Sequence, residues 1–310
     1  MIGSVITLKN KDIVVNESEV DNVDVKFKPG IYQAHTVESG IIIKKREINE
    51  VHLPFESTET IQVLNTIELF FKPEMCKKIN DLGFIHKLGV LLYGIQGTGK
   101  TALINYISNT MVSSHNGIVM ICSNGNELLT ATSLARSIRF IQNEPIIFIC
   151  DEFERFARDE EAAMKNILDG KDSINNSLFL ATTNYIEQVP KTIKDRPSRI
   201  SVLLEMKGIT DKRIMKSVIK NISDKINPGL FSDKEIENEI KDLNSATVDE
   251  LKHICLRKAT DSFINTSSNK QIGFKYQSNN DDDDEPIKEF KGITWNSFYR
   301  SVKKITPKII

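Results

Sequence analysis

The feature that most constrains how this chain can fold is a glycine-rich octapeptide that follows an apolar run. Residues 94–101 read Gly-Ile-Gln-Gly-Thr-Gly-Lys-Thr and fit the pattern G-x-x-x-x-G-K-[ST] at every position. The apolar run at 90–93 precedes the octapeptide and a helical stretch at 102–111 follows it, which is the strand–loop–helix context that the pattern requires. The alternative is a glycine-rich turn that merely joins strand to helix, and this context makes it the weaker interpretation.

Each residue type in this loop suits the binding of phosphate. Glycines lack a Cβ, so backbone N–H groups can approach phosphate oxygens, and the N-terminus of the next helix adds partial positive charge. We expect Lys100 to reach the β- and γ-phosphates of a nucleotide and the Thr101 hydroxyl to ligate Mg²⁺. The predicted nucleotide-binding residues of the loop are Gly94, Gln96, Gly97, Thr98, Gly99, Lys100, Thr101 and Ala102.

Two acids follow another apolar run, at 146–150. Ligands bind at the carboxyl ends of strands in open α/β sheets, so Asp151 and Glu152 are expected at the same crevice as the loop. Asp151 would bind nucleotide and hold the Mg²⁺ shell together with Thr101, and Glu152 would orient and polarise an attacking water. Alone, such a pair is a common solvated strand end; its position after Lys100 favours a functional role.

The order of apolar patterns predicts an α/β fold. Short apolar runs separated by helical stretches indicate a parallel sheet with helices on both faces. Residues 1–55 alternate in the manner of strands, and residues 57–82 have helical spacing that Pro73 interrupts. The predicted strands lie at 4–8, 23–27, 41–43, 90–93, 118–121, 146–150 and 178–181.

The last third of the chain has a different pattern of apolar and polar residues. Helical spacing predominates from 209 to 264, and a polar segment at 265–290 contains five consecutive acids, which predicts a disordered acidic loop. An amphipathic helix is predicted at 295–305.

Further segments resemble the AAA family of ATPases. The run 178–184 is similar to the sensor strand of that family, and its functional Asn falls on Asn184. The segment 195–200 is similar to the R-P-G-R segment, with Ser198 where Gly is usual, and its arginine fingers fall on Arg196 and Arg199. An Asn that caps a loop and two surface arginines are the alternatives. The resemblance covers about 74–307 and includes 82–83, 168–170, 246–251 and 293–298.

The resemblance implies ATP and Mg²⁺ as cofactors and Glu152, Asn184, Arg196 and Arg199 as catalytic residues. It implies a P-loop AAA module at 73–206 and an α-helical lid at 207–310, preceded by a small β-rich N-terminal domain with a linker helix at 1–72. Fingers supplied in trans imply a homo-oligomer, a hexameric ring, that remodels or assembles a protein partner. The alternatives are a DNA-associated motor or loader and an ATP-gated scaffold with slow hydrolysis.

The sequence departs from the family pattern at the loop with which unfoldases of this family grip an extended chain. The candidate loop, at 128–132, contains no aromatic residue, so threading of a polypeptide does not follow from the resemblance.

Composition further narrows the classes of function that this chain could have. Lys plus Arg number 41 and Asp plus Glu number 42, a balance that argues against bulk electrostatic binding to nucleic acid or an anionic membrane. The basic stretch at 207–220 leaves nucleic acid as a possible but not favoured partner. Apolar runs are too short for a membrane span, no signal peptide is evident, and the five histidines show no metal-ligand spacing. The four cysteines form no CxxC pair, and a cytoplasmic protein is expected.

Overall fold

The computed structural model describes residues 4–9, 12–17, 26–37, 40–47, 57–169 and 172–267. The chain divides into two compact units. Unit 1 comprises residues 1–214 and 244–249, and unit 2 comprises residues 215–243 and 250–310. The acidic segment from 268 onward and the predicted helix at 295–305 lie outside the described residues.

In the described part of unit 1, nine strands form one sheet in the order β1-β2-β4-β3-β6-β7-β8-β5-β9. The five strands from β6 to β9 in this order are all parallel to their neighbours. The strands are β1 (Ser4–Lys9), β2 (Asp12–Glu17), β3 (Gly30–Val37), β4 (Gly40–Arg46), β5 (Lys87–Tyr93), β6 (Ile118–Cys122), β7 (Ile146–Cys150), β8 (Ser177–Thr183) and β9 (Val202–Glu205).

Helices cover both faces of this sheet. The elements of unit 1 are α1 (Thr58–Phe70), α2 (Pro73–Asp81), α3 (Lys100–His115), α4 (Gly125–Arg139), α5 (Phe153–Asp159), α6 (Glu161–Asp169), a 3-10 turn (Ile186–Gln188) and α7 (Lys191–Lys194). Every residue of β7 and β8 is buried, because both faces are covered. One apolar cluster gathers side chains of α4, α5 and α6, and the other gathers those of α1 and α3.

The predicted parallel sheet is therefore confirmed, and so is the division of 57–82 into two helices. Ser57 caps α1 by accepting a hydrogen bond from the Thr60 N–H, and Pro73 occupies the first turn of α2, where a missing N–H costs nothing. The short strand β9 escaped the sequence analysis, since only alternate side chains of β9 are partly buried.

The N-terminal strands extend this same sheet. Antiparallel pairing joins β1 to β2, β2 to β4 and β4 to β3, and β3 then pairs in parallel with β6. The β-rich character of the region is as predicted, whereas the strand predicted at 23–27 is wrong at Lys26 and Phe27, which precede β3 without strand structure. Phe27 is instead buried, and its backbone N–H donates to Gln142 Oε1 at 2.6 Å. A domain boundary at 72/73 stays a prediction.

The loop predicted at 128–132 is also wrong, because these residues form part of α4. Only Ser123 and Asn124 separate β6 from this helix. The Asn124 side chain caps the helix by accepting from the Glu127 N–H at 2.9 Å, and Leu128 and Thr132 are buried. No loop projects from this junction.

Beyond β9 the chain is helical, with α8 (Lys212–Ile226), α9 (Asp233–Ile240) and α10 (Val248–Ser267). Within unit 2, Ile219, Ile236, Ile240 and Cys255 are buried. The loop predicted at 265–290 is wrong at 265–267, because α10 continues through these residues, and the rest of that prediction lies outside the described residues. Among the described residues, no helix is long and apolar enough to cross a membrane.

Candidate nucleotide-binding site

Sheet register brings the predicted site residues together at one edge. Strand β8 lies between β7 and β5, with Ala181 opposite Cys150 and Thr183 opposite Tyr93. Asp151 therefore follows β7 level with Thr182, and Gly94 follows β5 next to Asn184. Segments 90 residues apart thus meet at the carboxyl ends of three neighbouring strands, where α/β proteins bind ligands.

The glycine-rich loop turns through conformations that only glycine adopts easily. Gly97 and Gly99 have φ angles of 82° and 90°, in the left-handed region, and Gly99 immediately precedes α3. A Cβ on Gly97 would lie 3.0 Å from the carboxylate of Asp249, whose backbone N–H donates to the Gly97 carbonyl at 3.2 Å. A side chain at 97 would therefore crowd Asp249 and be strained by the positive φ. Asp249 belongs to the segment 246–251, which sequence reasoning included in the family resemblance.

Lys100 is the buried cation of this site. Only 7% of its surface is exposed, and its Nζ donates to the carbonyls of Gly94 and Ile95, both at 2.8 Å. Burial lowers the pKa of Lys100, and the nearby carboxylates of Asp151 and Glu154 oppose that shift. The ammonium group therefore lies inside the loop, at the N-terminus of α3, as the pattern predicts. Thr101 next to it is exposed.

The carboxylate of Asp151 is exposed and is oriented from the neighbouring strand. Its Oδ1 accepts a short hydrogen bond from Thr182 Oγ1 and a second, at 3.2 Å, from the Glu152 N–H. Asp151 and Thr101 offer the hard oxygen ligands that Mg²⁺ prefers. No cluster of three or more His, Cys, Asp or Glu side chains suited to a metal occurs within the described ranges. A pair of such ligands fits Mg²⁺, which usually completes its shell with water and substrate phosphates.

Glu152 stands in a strained conformation at the end of β7. Its φ of 55° lies in the left-handed region, which is uncommon for a residue with a side chain and recurs at functional sites. The side chain is half exposed, and its Oε2 pairs with Arg155 Nη1 at 2.8 Å. The carboxylate is therefore accessible at the crevice, with an exposed arginine as its partner.

A polar network that the sequence did not predict lies behind Asn184. Thr183 Oγ1 donates to Glu154 Oε2 at 2.6 Å and accepts from the Tyr185 N–H at 3.0 Å, and both Thr183 and Glu154 are buried. These bonds fix the turn on which Asn184 is exposed. Two threonines before the Asn were the available signal, because each can bond a neighbouring acid.

The two predicted finger arginines differ in their surroundings. The Arg196 side chain is 60% exposed, whereas the Arg199 side chain is 8% exposed and its Nε lies 3.1 Å from Asp169 Oδ2. Both lie apart from the glycine-rich loop in sequence, on the turn between α7 and β9.

A glycine-rich loop holding a buried lysine, beside an acidic strand end in a parallel sheet, defines the class of P-loop nucleoside triphosphatases. Residues 90–207 match the family described as "ATPase family associated with various cellular activities (AAA)". Residues 90–207 therefore form an ATPase domain of the AAA family, as the resemblance predicted.

Curated relatives agree with this assignment. The chain is 25% identical to the 26S proteasome regulatory subunit 6B homolog of Aspergillus niger over 232 residues, which are 68% of this chain and 49% of the relative. It is 24% identical to the proteasome-activating nucleotidase of Methanococcus maripaludis strain C7 over 265 residues, 78% of this chain and 61% of the relative. The ATPase family gene 2 protein of Schizosaccharomyces pombe is 28% identical over 194 residues, 57% of this chain and 23% of the relative. The chain spans about half the length of the proteasome subunits it matches.

Proposed function

We propose that this chain hydrolyses ATP with Mg²⁺ in a homo-oligomeric ring, a hexamer, and uses the cycle to remodel, assemble or disassemble a protein partner. The observation that carries the proposal is the convergence of Lys100, Asp151, Glu152 and Asn184 at the ends of three adjacent strands. Those groups are the minimum that phosphoryl transfer to water requires: a phosphate cradle, a metal ligand and a residue that orients water.

Each side chain has a distinct role in this proposal. The loop N–H groups and the Lys100 ammonium bind phosphate oxygens, and Asn184 donates its amide to the γ-phosphate or to the attacking water. Glu152 accepts a hydrogen bond from that water and aligns it for attack. Asp151 and Thr101 would hold Mg²⁺, which neutralises phosphate charge when bound. Arginine from a neighbouring copy would stabilise the charge of the transition state.

A protein is the favoured partner on which this ATPase acts. The relatives named as proteasome regulatory subunits and proteasome-activating nucleotidases support work on proteins. The direct passage from β6 into α4 leaves no loop at the place where threading members of the family grip an extended chain. We therefore favour remodelling of an assembled partner over threading of an unfolded polypeptide.

Glu152→Gln is the variant that tests this function, because it keeps the shape of the side chain and removes its charge. We expect phosphate release from ATP to fall by about 10²- to 10⁴-fold, the usual contribution of general acid–base groups, with ATP binding retained. Analytical ultracentrifugation should show a ring that persists with ATP. Asp159→Asn, which neutralises an exposed acid at the end of α5, is the matched control and should leave turnover unchanged.

Three outcomes would contradict parts of the proposal. Unchanged turnover in Glu152→Gln removes Glu152 from the mechanism, and full activity in a protein that stays monomeric with ATP removes the ring. Stimulation by DNA with a steep dependence on salt would favour the DNA-associated alternative over a protein partner.

A further inference from the structure

The segment 195–201, here called the arginine loop, holds its two arginines in opposite states. Both arginines line one open depression, together with Lys165, Lys191, Thr192 and Asp195, but most of the Arg196 side chain is exposed. The side chain of Arg199 is almost completely buried. An arginine that must reach a second molecule has to be exposed, so the two residues cannot serve that purpose equally.

Asp169, the last residue of α6, is the acceptor that separates them. Its Oδ2 accepts from Ser198 Oγ at 2.7 Å and from Arg199 Nε at 3.1 Å, while Arg196 Nε lies farther away, at 3.6 Å. The Ser198 hydrogen bond, with the charges of Arg199 and Arg196, holds the pKa of Asp169 below its usual value. Arg199 Nη1 also donates to the Thr192 carbonyl, so its guanidinium is held on two sides.

A second set of contacts fixes the same loop to the first residues of β5. Lys87 Nζ donates to the Leu168 carbonyl and, at 2.7 Å, to the Ser198 carbonyl, and the Ser201 N–H donates to the Gly89 carbonyl at 2.8 Å. A Cβ on Gly89 would collide with the backbone carbonyl of Arg199. The arginine loop therefore packs against the strand that ends in the phosphate-binding loop.

Moving Arg199 out of this setting would take the nearer of its two arginine partners from the Asp169 carboxylate and would break the bond to the Thr192 carbonyl. Separating a buried pair by removing one partner is strongly unfavourable. Rotation of Arg196 requires no such separation, because its pairing with Asp169 is long and solvent-exposed and contributes little.

We propose that Asp169 and Arg199 are positioning residues: their partly buried ion pair fixes the arginine loop so that Arg196 alone contacts the γ-phosphate of ATP bound to a second copy of this chain. The inference rests on the proposed function, ATP hydrolysis in a ring. It assigns Asp169 a role in turnover that requires no contact with nucleotide.

The test compares Asp169→Asn, Arg199→Gln and the double variant in the full chain. Misplacing a catalytic group by about 1 Å can cost about 10²-fold, so each single variant should lower kcat by that order with KM for ATP unchanged. The double variant should be no slower than either single one, because one pair is lost in all three. If Arg199 were itself a finger, Asp169→Asn would stay active and Arg199→Gln would be inactive, which would overturn the inference.

The chain offers a matched control in the pair of Arg136 Nη1 and Asp172 Oδ1, 3.1 Å apart. The Asp172 side chain is 21% exposed and that of Asp169 is 19% exposed, so Asp172→Asn removes a carboxylate of matched exposure away from the arginine loop, and Arg136→Gln removes its more exposed partner. Both should leave kcat unchanged. If Asp169→Asn does not fold, Ser198→Ala decides the question, since it removes one exposed hydrogen bond to Asp169 and should lower kcat several-fold.

Mixing subunits separates positioning from general damage. Asp169→Asn subunits keep an intact phosphate-binding loop, and Lys100→Ala subunits keep an intact arginine loop. Mixed rings should therefore hydrolyse ATP faster than either variant alone, and no gain on mixing would overturn the inference. Absence of ATPase activity in the unmodified chain would instead overturn the proposed function, and the inference with it.

Discussion

Two side-chain hydroxyls at the end of β8 each donate to an acid in the segment that follows β7. Thr182 donates to Asp151, and Thr183 donates to Glu154, on opposite sides of the strand. Because Glu154 is buried, its carboxylate depends on the Thr183 hydroxyl for a partner. The same hydroxyl accepts from the Tyr185 N–H, so it also determines where Asn184 points.

Thr183→Val keeps the shape of the side chain and removes both hydrogen bonds. An unsatisfied buried polar group costs about 1–3 kcal/mol, so the free energy of unfolding should fall by that amount, and kcat should fall as Asn184 moves. Thr192→Val is the matched control, because Thr192 Oγ1 also donates to a glutamate at 2.6 Å, but at an exposed site. Equal effects of the two substitutions in chemical denaturation would show that burial of Glu154 is not the cause.

For single residues, a role that lies within one continuous segment could be predicted from the sequence. Contacts that arise only when distant strands pair could not. Lys100 and Thr101 could be assigned because the loop is one continuous segment with a fixed pattern. The bond between Glu154 and Thr183 joins residues 29 apart, and that between Asp169 and Arg199 joins residues 30 apart. Nothing in either segment specifies its partner before the order of strands is known.

Among the elements, α9 shows how one residue can stabilise a helix in two ways. Ser232 and Glu235 form a reciprocal capping box at its N-terminus, and Glu235 Oε1 also pairs with Lys258 Nζ at 2.7 Å. The hydrogen bond from Lys258, followed by those from Ser232, lowers the pKa of Glu235 to about 2. A helix start of this kind is predicted by Ser followed three residues later by Glu.

This lowered pKa gives the stability of α9 a defined pH dependence. A carboxyl whose folded pKa is below its ordinary value of 4.5 contributes stability above that value, and the contribution is lost as pH falls towards about 2. Glu235→Gln should therefore reduce amide hydrogen-exchange protection at 233–240 at pH 6, and the difference from the unmodified chain should shrink as pH approaches 2.

The control for this prediction is Glu239→Gln. Glu239 pairs with Arg257 at 2.7 Å from the same helix but takes no part in the capping box. Its substitution should reduce protection less, because exposed ion pairs contribute little. A difference between Glu235→Gln and the unmodified chain that persists undiminished at pH 2.5 would contradict the pH argument.

Elements with strong periodicity could be predicted from the sequence, and elements defined by pairing could not. The buried strands β7 and β8 are continuous apolar runs. In contrast, β3 reads Gly-Ile-Tyr-Gln-Ala-His-Thr-Val, with polar residues that bond to α4 and its N-terminal turn: Gln33 Nε2 contacts Ser123 Oγ and Glu127 Oε2, and His35 Nδ1 lies 3.0 Å from Glu127 Oε1. Those polar side chains interrupt the apolar pattern by which a strand is predicted, and their partners lie about 90 residues away in the sequence.

For the molecule as a whole, the placement of β3 decides whether the ATPase is separable from the N-terminal region. Strand β3 pairs with β6 and buries Ile31, Tyr32 and Ala34, and Gln142 bonds both the N–H and the carbonyl of Phe27. Such an arrangement makes residues 26–47 part of the sheet that carries the nucleotide site.

Deletion of residues 1–47 should therefore destabilise the ATPase. It removes Phe27, Ile31 and Ile43 from the core, at about 1.5–3 kcal/mol for each buried side chain, against a total stability of typically 5–15 kcal/mol. It also leaves β6 as an unpaired edge, which favours aggregation. Deletion of residues 1–25 is the control, because it removes β1 and β2 while β3 keeps its pairing with both β4 and β6. We expect the shorter deletion to unfold cooperatively and hydrolyse ATP, and the longer one to unfold at a lower temperature or to aggregate.

A 48–310 chain with an unchanged midpoint of thermal unfolding and full turnover would show that the N-terminal strands form a separate domain, as a boundary at 72/73 requires.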